Sequence, residues 1–139
     1  IMKQARDLKI NVPFYTTGTI TSPGAQQASA GTSEGTVFAY WDASANNAAS
    51  EAFVKKFTDS VGRPPILPLT THPAHDTLSV IADVLANTSS EMKIADIKEG
   101  LLNTKNYSGI TGTVTFDAMG GAPIVEMPYK LVKGAPVKL

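Results

Sequence analysis

Apolar positions along the chain change their spacing at each turn signal, and the spacing sets out helices and strands in succession. Ile1, Ala5 and Leu8 share one side of a helix over Ile1–Leu8. Val12–Tyr15 follows as a short apolar strand with Pro13 near its start. Thr16–Gly24, TTGTITSPG, is a polar loop leaving that strand's carboxyl end, and Ala25–Ala30 has room for a helical turn. Gly35 opens a second strand to Tyr40, rich in β-branched and aromatic residues, with Trp41 and Asp42 at its end. Ser44 and Asn46 bring capping chemistry to a helix over 47–60, which Gly62 and Pro64 stop. In it Ala49, Phe53 and Phe57, with Ala52 and Val61, draw an apolar line, while Lys55, Lys56 and Asp59 take the wet side. The two strands are expected side by side and parallel, with this helix on their sheet and Phe53 and Phe57 buried.

The stretch VGRPPILPLTTHPAHDTLSVIADVL, Val61–Leu85, organises the second half. Pro73 suits the first turn of a helix, where its fixed φ is helical and its missing N–H costs nothing. Leu78, Ile81, Ala82 and Leu85 then form the predicted core face, and Val80 and Val84 add a second apolar line. Asn87–Ser90 is a polar stop. Ile94, Ile97 and Leu101 mark a further helix ending near Asn103. Tyr107–Asp117 is a glycine-punctuated loop leading into a strand with alternating Val114 and Phe116. Glu126–Val132 and Pro136–Leu139 are two strands joined over Lys133-Gly134, a hairpin signal. The succession is that of a layered α/β protein.

Composition narrows the function classes. The chain of 139 residues is 42% hydrophobic and 17% charged, with twelve basic residues balancing twelve acidic ones. That balance offers no nucleic-acid face and no polybasic membrane patch. The absence of cysteine removes disulfides, thiolate nucleophiles and cysteine zinc sites. No apolar run approaches the roughly 20 residues needed to cross a bilayer. The chain opens without a Met or a signal peptide, as a piece of a longer chain would.

Catalytic chemistry is sparse. His72, His75 and Asp76 offer three metal ligands, but histidines three apart across a proline give poor geometry. The competing reading is a helix start in which these groups cap free N–H groups and Asp76 meets the helix dipole. G-x-S-x-G, P-loop and GxGxxG patterns are all absent, as is an obvious pair of spaced carboxylates. The inventory points away from an enzyme and implies neither cofactor nor metal. Where a strand of an open α/β sheet ends, ligands bind. Thr16, Thr17, Gly18 and Thr19, with Tyr40 or Trp41, are therefore the candidate ligand-binding residues. Trp41, the sole tryptophan, also suits a core position.

Several phrases, in order, resemble the C-terminal part of the leucine/isoleucine/valine-binding family of type I periplasmic solute-binding proteins. IMKQARDLKINVPFY is similar to that family's helix and strand, and GTVFAY with FVKKFTDSVGRPP to its next strand and helix. PAHDTLSVIADVL resembles its following helix. Tyr107, Ser108, Gly109, Thr111, Gly112, Val114, Phe116, Asp117 and Gly120 match its FSGxTGxVxFDxxG phrase. The resemblance implies a Rossmann-like lobe, a three-layer αβα arrangement with a mostly parallel sheet and a C-terminal hairpin, within a two-lobed clamshell. Residues 1–68 would belong to the second lobe, 69–118 to the first, and 119–139 to the second again.

The function implied is substrate capture for an ABC importer of the branched-chain amino acid type, as a periplasmic protein or surface lipoprotein. Its partners would be a small-molecule ligand and the membrane permease. A ligand-sensing domain of a receptor or regulator on the same fold is the alternative. The chain departs from the family at two places. The acidic residue that pairs with a ligand's ammonium is missing near Gly18 or Thr19, and His75 stands where tyrosine is usual. A buried ammonium without a carboxylate is costly, so an aromatic or aliphatic carboxylate lacking an ammonium fits as well as an amino acid. Unpaired strand edges would hold the chain to its missing N-terminal part or to a second copy of itself.

Overall fold

Strand β1 (Tyr15–Thr17) pairs in parallel with β2 (Val37–Trp41), with Tyr15 opposite Val37 and Thr17 opposite Ala39. This is the expected pairing, but β1 begins at the residue where the predicted strand ends. Helix α1 (Met2–Asp7) precedes it. The computed structural model describes residues 1–41, 47–88, 91, 93–123 and 125–139, so Asp42, Ser44, Asn46, Ser89 and Ser90 lie outside the described residues.

Two compact units account for the chain. Unit 1 gathers Ile1–Asp42, Ile66–Leu69 and Glu126–Leu139; unit 2 gathers Ala43–Pro65 and Thr70–Val125. The joins differ from the segments 1–68, 69–118 and 119–139 chiefly in grouping 43–65 with unit 2.

Unit 1 is built on one sheet. β5 (Glu126–Val132) pairs antiparallel with β2, and β6 (Ala135–Lys138) with β5, giving the order β1-β2-β5-β6. The hairpin thus extends the sheet, which is mixed, with one parallel and two antiparallel pairs. Its two-residue turn needs positive φ at both positions; Lys133 has φ 51° and Gly134 φ 77°. Lys133 N–H donates to both carboxylate oxygens of Glu34 at 3.0 Å. Phe38, Tyr40, Tyr129 and Leu131, alternate residues of two neighbouring strands, are buried as a core face. Helix α2 (Pro23–Ser29) starts with Pro23 in the first turn and Ser22 Oγ accepting from Ala25 N–H at 3.3 Å.

Unit 2 holds α3 (Asn47–Val61), most of α4 (Pro68–Ala86), α5 (Ile94–Asn103) and the ladder of β3 (Tyr107–Gly109) with β4 (Gly112–Val114). Helix α3, expected on the parallel sheet, belongs to this unit. Phe53 and Phe57, expected to be buried, are half-buried. Phe53 lies against Phe57, His72 and His75 at ring separations of 5.9, 5.1 and 4.7 Å. β4 ends before Phe116, whose N–H instead donates to Thr104 C=O at 3.2 Å.

Two expectations for α4 need correction. The helix starts at Pro68, so Pro73 lies inside it and takes away one N–H bond. The buried line is His72, Asp76, Val80 and Val84, spaced by four. The expected core face is the outer one, with Leu78 68% exposed and Leu85 40% exposed. The tertiary partners decide the phase. Asp76 accepts from Ile110 N–H (2.7 Å), Thr111 N–H (2.9 Å) and Thr111 Oγ1 (2.5 Å). His72 Nε2 shares a 2.9 Å hydrogen bond with Ser50 Oγ. At Gly100 of α5, a Cβ would fall 2.5 Å from Val84 Cγ1, so the glycine admits the valine.

Candidate functional site

The carboxyl end of β1 does not run into an open loop. Thr16 and Thr17 stay in the strand, Gly18–Thr21 form a single 3-10 turn, and Pro23 begins α2. Thr21 Oγ1 donates to Gly18 C=O at 2.8 Å and Gln26 Nε2 to Ile20 C=O at 2.5 Å, which pins the turn from two sides. Gly18 is buried. A Cβ there would lie 2.4 Å from Tyr40 Cδ2 and 3.1 Å from Leu69 Cδ2, so only glycine lets the backbone rest on the tyrosine ring.

Tyr40 is fixed on every side within unit 1. Its ring meets Tyr129 edge-on at 5.6 Å and Phe38 at 6.0 Å, and stacks with Trp41 at 5.8 Å. Burial pushes the phenol above its ordinary value, Tyr129 adds to the rise, and a side-chain hydrogen bond with Thr21 opposes it. The group is neutral over the physiological range and acts as a hydrogen-bonding phenol.

Exposed hydroxyls complete the wall. Thr16, Thr17 and Thr19 all face solvent, and the Thr17 and Thr19 hydroxyls share a 2.9 Å hydrogen bond. Of the six sequence candidates, Gly18 and Tyr40 touch, and Thr17 and Thr19 touch. Tyr40 and Trp41 stack, but Trp41 is only 3% exposed and is a core residue. Thr16 shares its sheet face with Phe38, and Thr17 with Ala39.

Glu126 is the residue that the sequence does not single out. It is exposed and sits opposite Trp41 in the β2–β5 register, bringing a carboxylate to the same end of the sheet. The hairpin signal contains it, but only the pairing of β5 with β2 places it there.

His72, His75 and Asp76 are committed to the fold of unit 2. Asp76 is the ninth residue of α4, beyond the first turn expected for it, and its carboxylate already takes three donors. A Cβ on Gly109 would fall 2.4 Å from Asp76 Oδ2, which keeps that position bare. His75 Nδ1 lies 3.4 Å from Asp76 Oδ1. Among the described residues no three His, Asp or Glu side chains gather as a metal site, and no helix is long and apolar enough to cross a membrane.

No protein-family model matches the sequence, and no curated protein is similar to it by sequence. Solved structures are similar in three dimensions. A leucine-binding protein from Thermotoga maritima matches with TM-score 0.81 and 20% identity, over 99% of this chain and 39% of that one. A type 1 periplasmic binding protein from Bordetella pertussis matches with TM-score 0.80 and 16% identity, over 99% and 42%. A solute-binding protein of an ABC transporter from R. palustris, in complex with benzoate, matches with TM-score 0.72 and 18% identity, over 99% and 38%. At about two-fifths of their length, the chain has the fold of the type I periplasmic binding proteins.

Proposed function

We propose that this chain is part of an extracytoplasmic solute-binding protein that delivers a small organic ligand to the membrane permease of an ABC importer. The ligand is held between the two lobes of the longer protein. The observation that carries the reading is the structural match over 99% of the chain to a leucine-binding protein at TM-score 0.81. The wall at the ends of β1 and β2 is the unit 1 contribution, with Thr16, Thr17 and Thr19 as hydroxyl donors, Gly18 as the close approach, and Tyr40 and Trp41 as the aromatic support. Such residues bind, orient and release a solute. A carboxylate lacking an ammonium suits the Thr16–Gly24 segment, which contains no acidic residue, so Glu126 at the same end of the sheet is the residue that distinguishes this ligand from an amino acid.

Native mass spectrometry and calorimetry on the complete product of the reading frame, with leucine, isoleucine and benzoate as probes, test the proposal. At least one probe or a co-purified carboxylate should bind, and Thr17→Ala with Thr19→Ala should weaken it about tenfold, the worth of roughly 1.4 kcal/mol. Glu126→Gln should change affinity less than about twofold. A tenfold loss in that variant would mean a ligand whose ammonium Glu126 neutralises. Binding indifferent to the threonines, or no bound solute at all, would remove the wall from the site.

A further inference from the structure

Both histidines of the chain lie at one junction, where α3 meets α4. Ser50 Oγ of α3 shares a 2.9 Å hydrogen bond with His72 Nε2. The Phe53 ring, further along α3, packs on His72 at 5.1 Å with the planes 72° apart, and on His75 at 4.7 Å. One phenyl ring is thus gripped by two imidazoles, and these differ in their access to water. His72 is 2% exposed, whereas the His75 side chain is 40% exposed and its Nδ1 lies 3.4 Å from an Asp76 carboxylate oxygen. His75 can take up a proton in place. An imidazolium at His72 forfeits its hydration unless the helices part. The junction also has a particular position in the chain. Unit 2 begins at Ala43 and resumes at Thr70, so Ser50 and His72 both stand soon after a point where the chain enters it.

We propose that the His72–Phe53–His75 junction is a proton-sensitive clasp: with His72 neutral it holds α3 on α4, and proton uptake by His72 in mildly acidic surroundings releases α3. The groups around His72 leave burial to decide the direction. On α4 these are His75 and Asp76, and the Asp76 carboxylate is already taken up by the donors of Ile110 and Thr111. On α3, Glu51 is exposed and Lys55 is paired with Asp59. The β3–β4 turn brings Ile110 and Thr111, neither of which titrates. Burial opposes the charged ring in the closed junction but not in the released one, where the ordinary value of about 6.5 applies. The closed clasp therefore has its full stability above about pH 6.5 and loses it as pH falls, with an opening constant about tenfold larger at about pH 5.5. The clasp belongs to unit 2 and is independent of any ligand.

Amide exchange in the complete product of the reading frame, at about pH 7.5 and about pH 5.5, tests it when expressed as protection factors, which remove the intrinsic pH dependence of exchange. Protection along α3 should fall about tenfold on acidification, while β2 and β5 of unit 1 keep theirs. His72→Gln, whose amide can still bond Ser50, should give α3 the same protection at both pH values, and His75→Gln should retain the tenfold fall. Unchanged α3 protection in the parent would overturn the proposal, as would a fall that survives in His72→Gln. Should that variant fail to fold, the ring C–H resonances of the parent decide. His72 should keep the shifts of a neutral imidazole for as long as α3 is protected, and imidazolium shifts at His72 in a protein with α3 still protected would overturn the clasp.

Discussion

A single missing Cβ sets the geometry at the end of β1. Gly18 has ordinary φ, so its requirement is space, and the atom it excludes is the ring of a buried tyrosine. Gly18→Ala should therefore destabilise unit 1 by about 1–3 kcal/mol, the usual penalty for overpacking, read from urea unfolding of Trp41 fluorescence. Tyr40→Phe keeps the ring but loses the bond to Thr21 and should cost about 1 kcal/mol. The direction of the Tyr40 shift adds a pH signature. With the folded phenol raised above the ordinary value of 10.0, the native state holds the proton more tightly than the unfolded chain. Stability is then complete below about pH 10 and falls as pH rises through the folded value, and the fall should be smaller in Tyr40→Phe. Asp76 is the counterpart in unit 2. Asp76→Ala would orphan the N–H groups of Ile110 and Thr111, both buried, and should cost about 3–5 kcal/mol, with Asp76→Asn between the two. An Asp76→Ala protein as stable as the parent in urea would show that this network contributes nothing net.

Among the elements, α4 shows why a helix can be legible while its orientation is not. Its apolar spacing marks a helix, yet two of the four residues on its inner line are His72 and Asp76, which no hydrophobic pattern selects. Leu78, Ile81, Ala82 and Leu85 give the stronger stripe and lie on the outer side. The proline misled for a related reason. Pro68 and Pro73 both suit a first turn, and the earlier one holds it. Val80→Ala, which opens space in a packed site, should cost about 1–2 kcal/mol, whereas Leu78→Ala should change stability of the 139-residue chain by less than about 0.5 kcal/mol. The reverse order in a denaturant series would restore the outer face as the core. Elements whose signals are local were legible to within a few residues, as with α3, α5 and the hairpin over Lys133-Gly134. The candidate site was half legible. Thr16–Thr19 and Tyr40 follow from strand ends, whereas Glu126 comes to the same end of the sheet through a register between strands far apart in sequence.

The whole molecule is woven from distant segments, and that gives the sheet of unit 1 its cooperativity. β2 stands between β1, its near neighbour in the chain, and β5, which comes after the whole of unit 2. Phe38 pairs with Tyr129 and stacks on it at a ring separation of 6.3 Å, and Leu131 is fully buried although it belongs to the final segment. Removing 126–139 would take away two of the four strands and would expose the ring cluster of Phe38, Tyr40 and Trp41. What remains of the sheet would be β1 with β2, a pairing of three residues, below what is stable alone in water. Unit 2 keeps all its segments in such a truncation, since it ends at Val125. The sole tryptophan lies in unit 1 and reports on it selectively. In the chain cut after Val125, Trp41 emission should move to the wavelength of a solvated indole before any denaturant is added, while helical circular dichroism from α3, α4 and α5 largely persists. An unshifted emission with an intact cooperative transition would show that β1 and β2 hold their core without the hairpin, and that the long-range pairing is an addition to the unit and not its foundation.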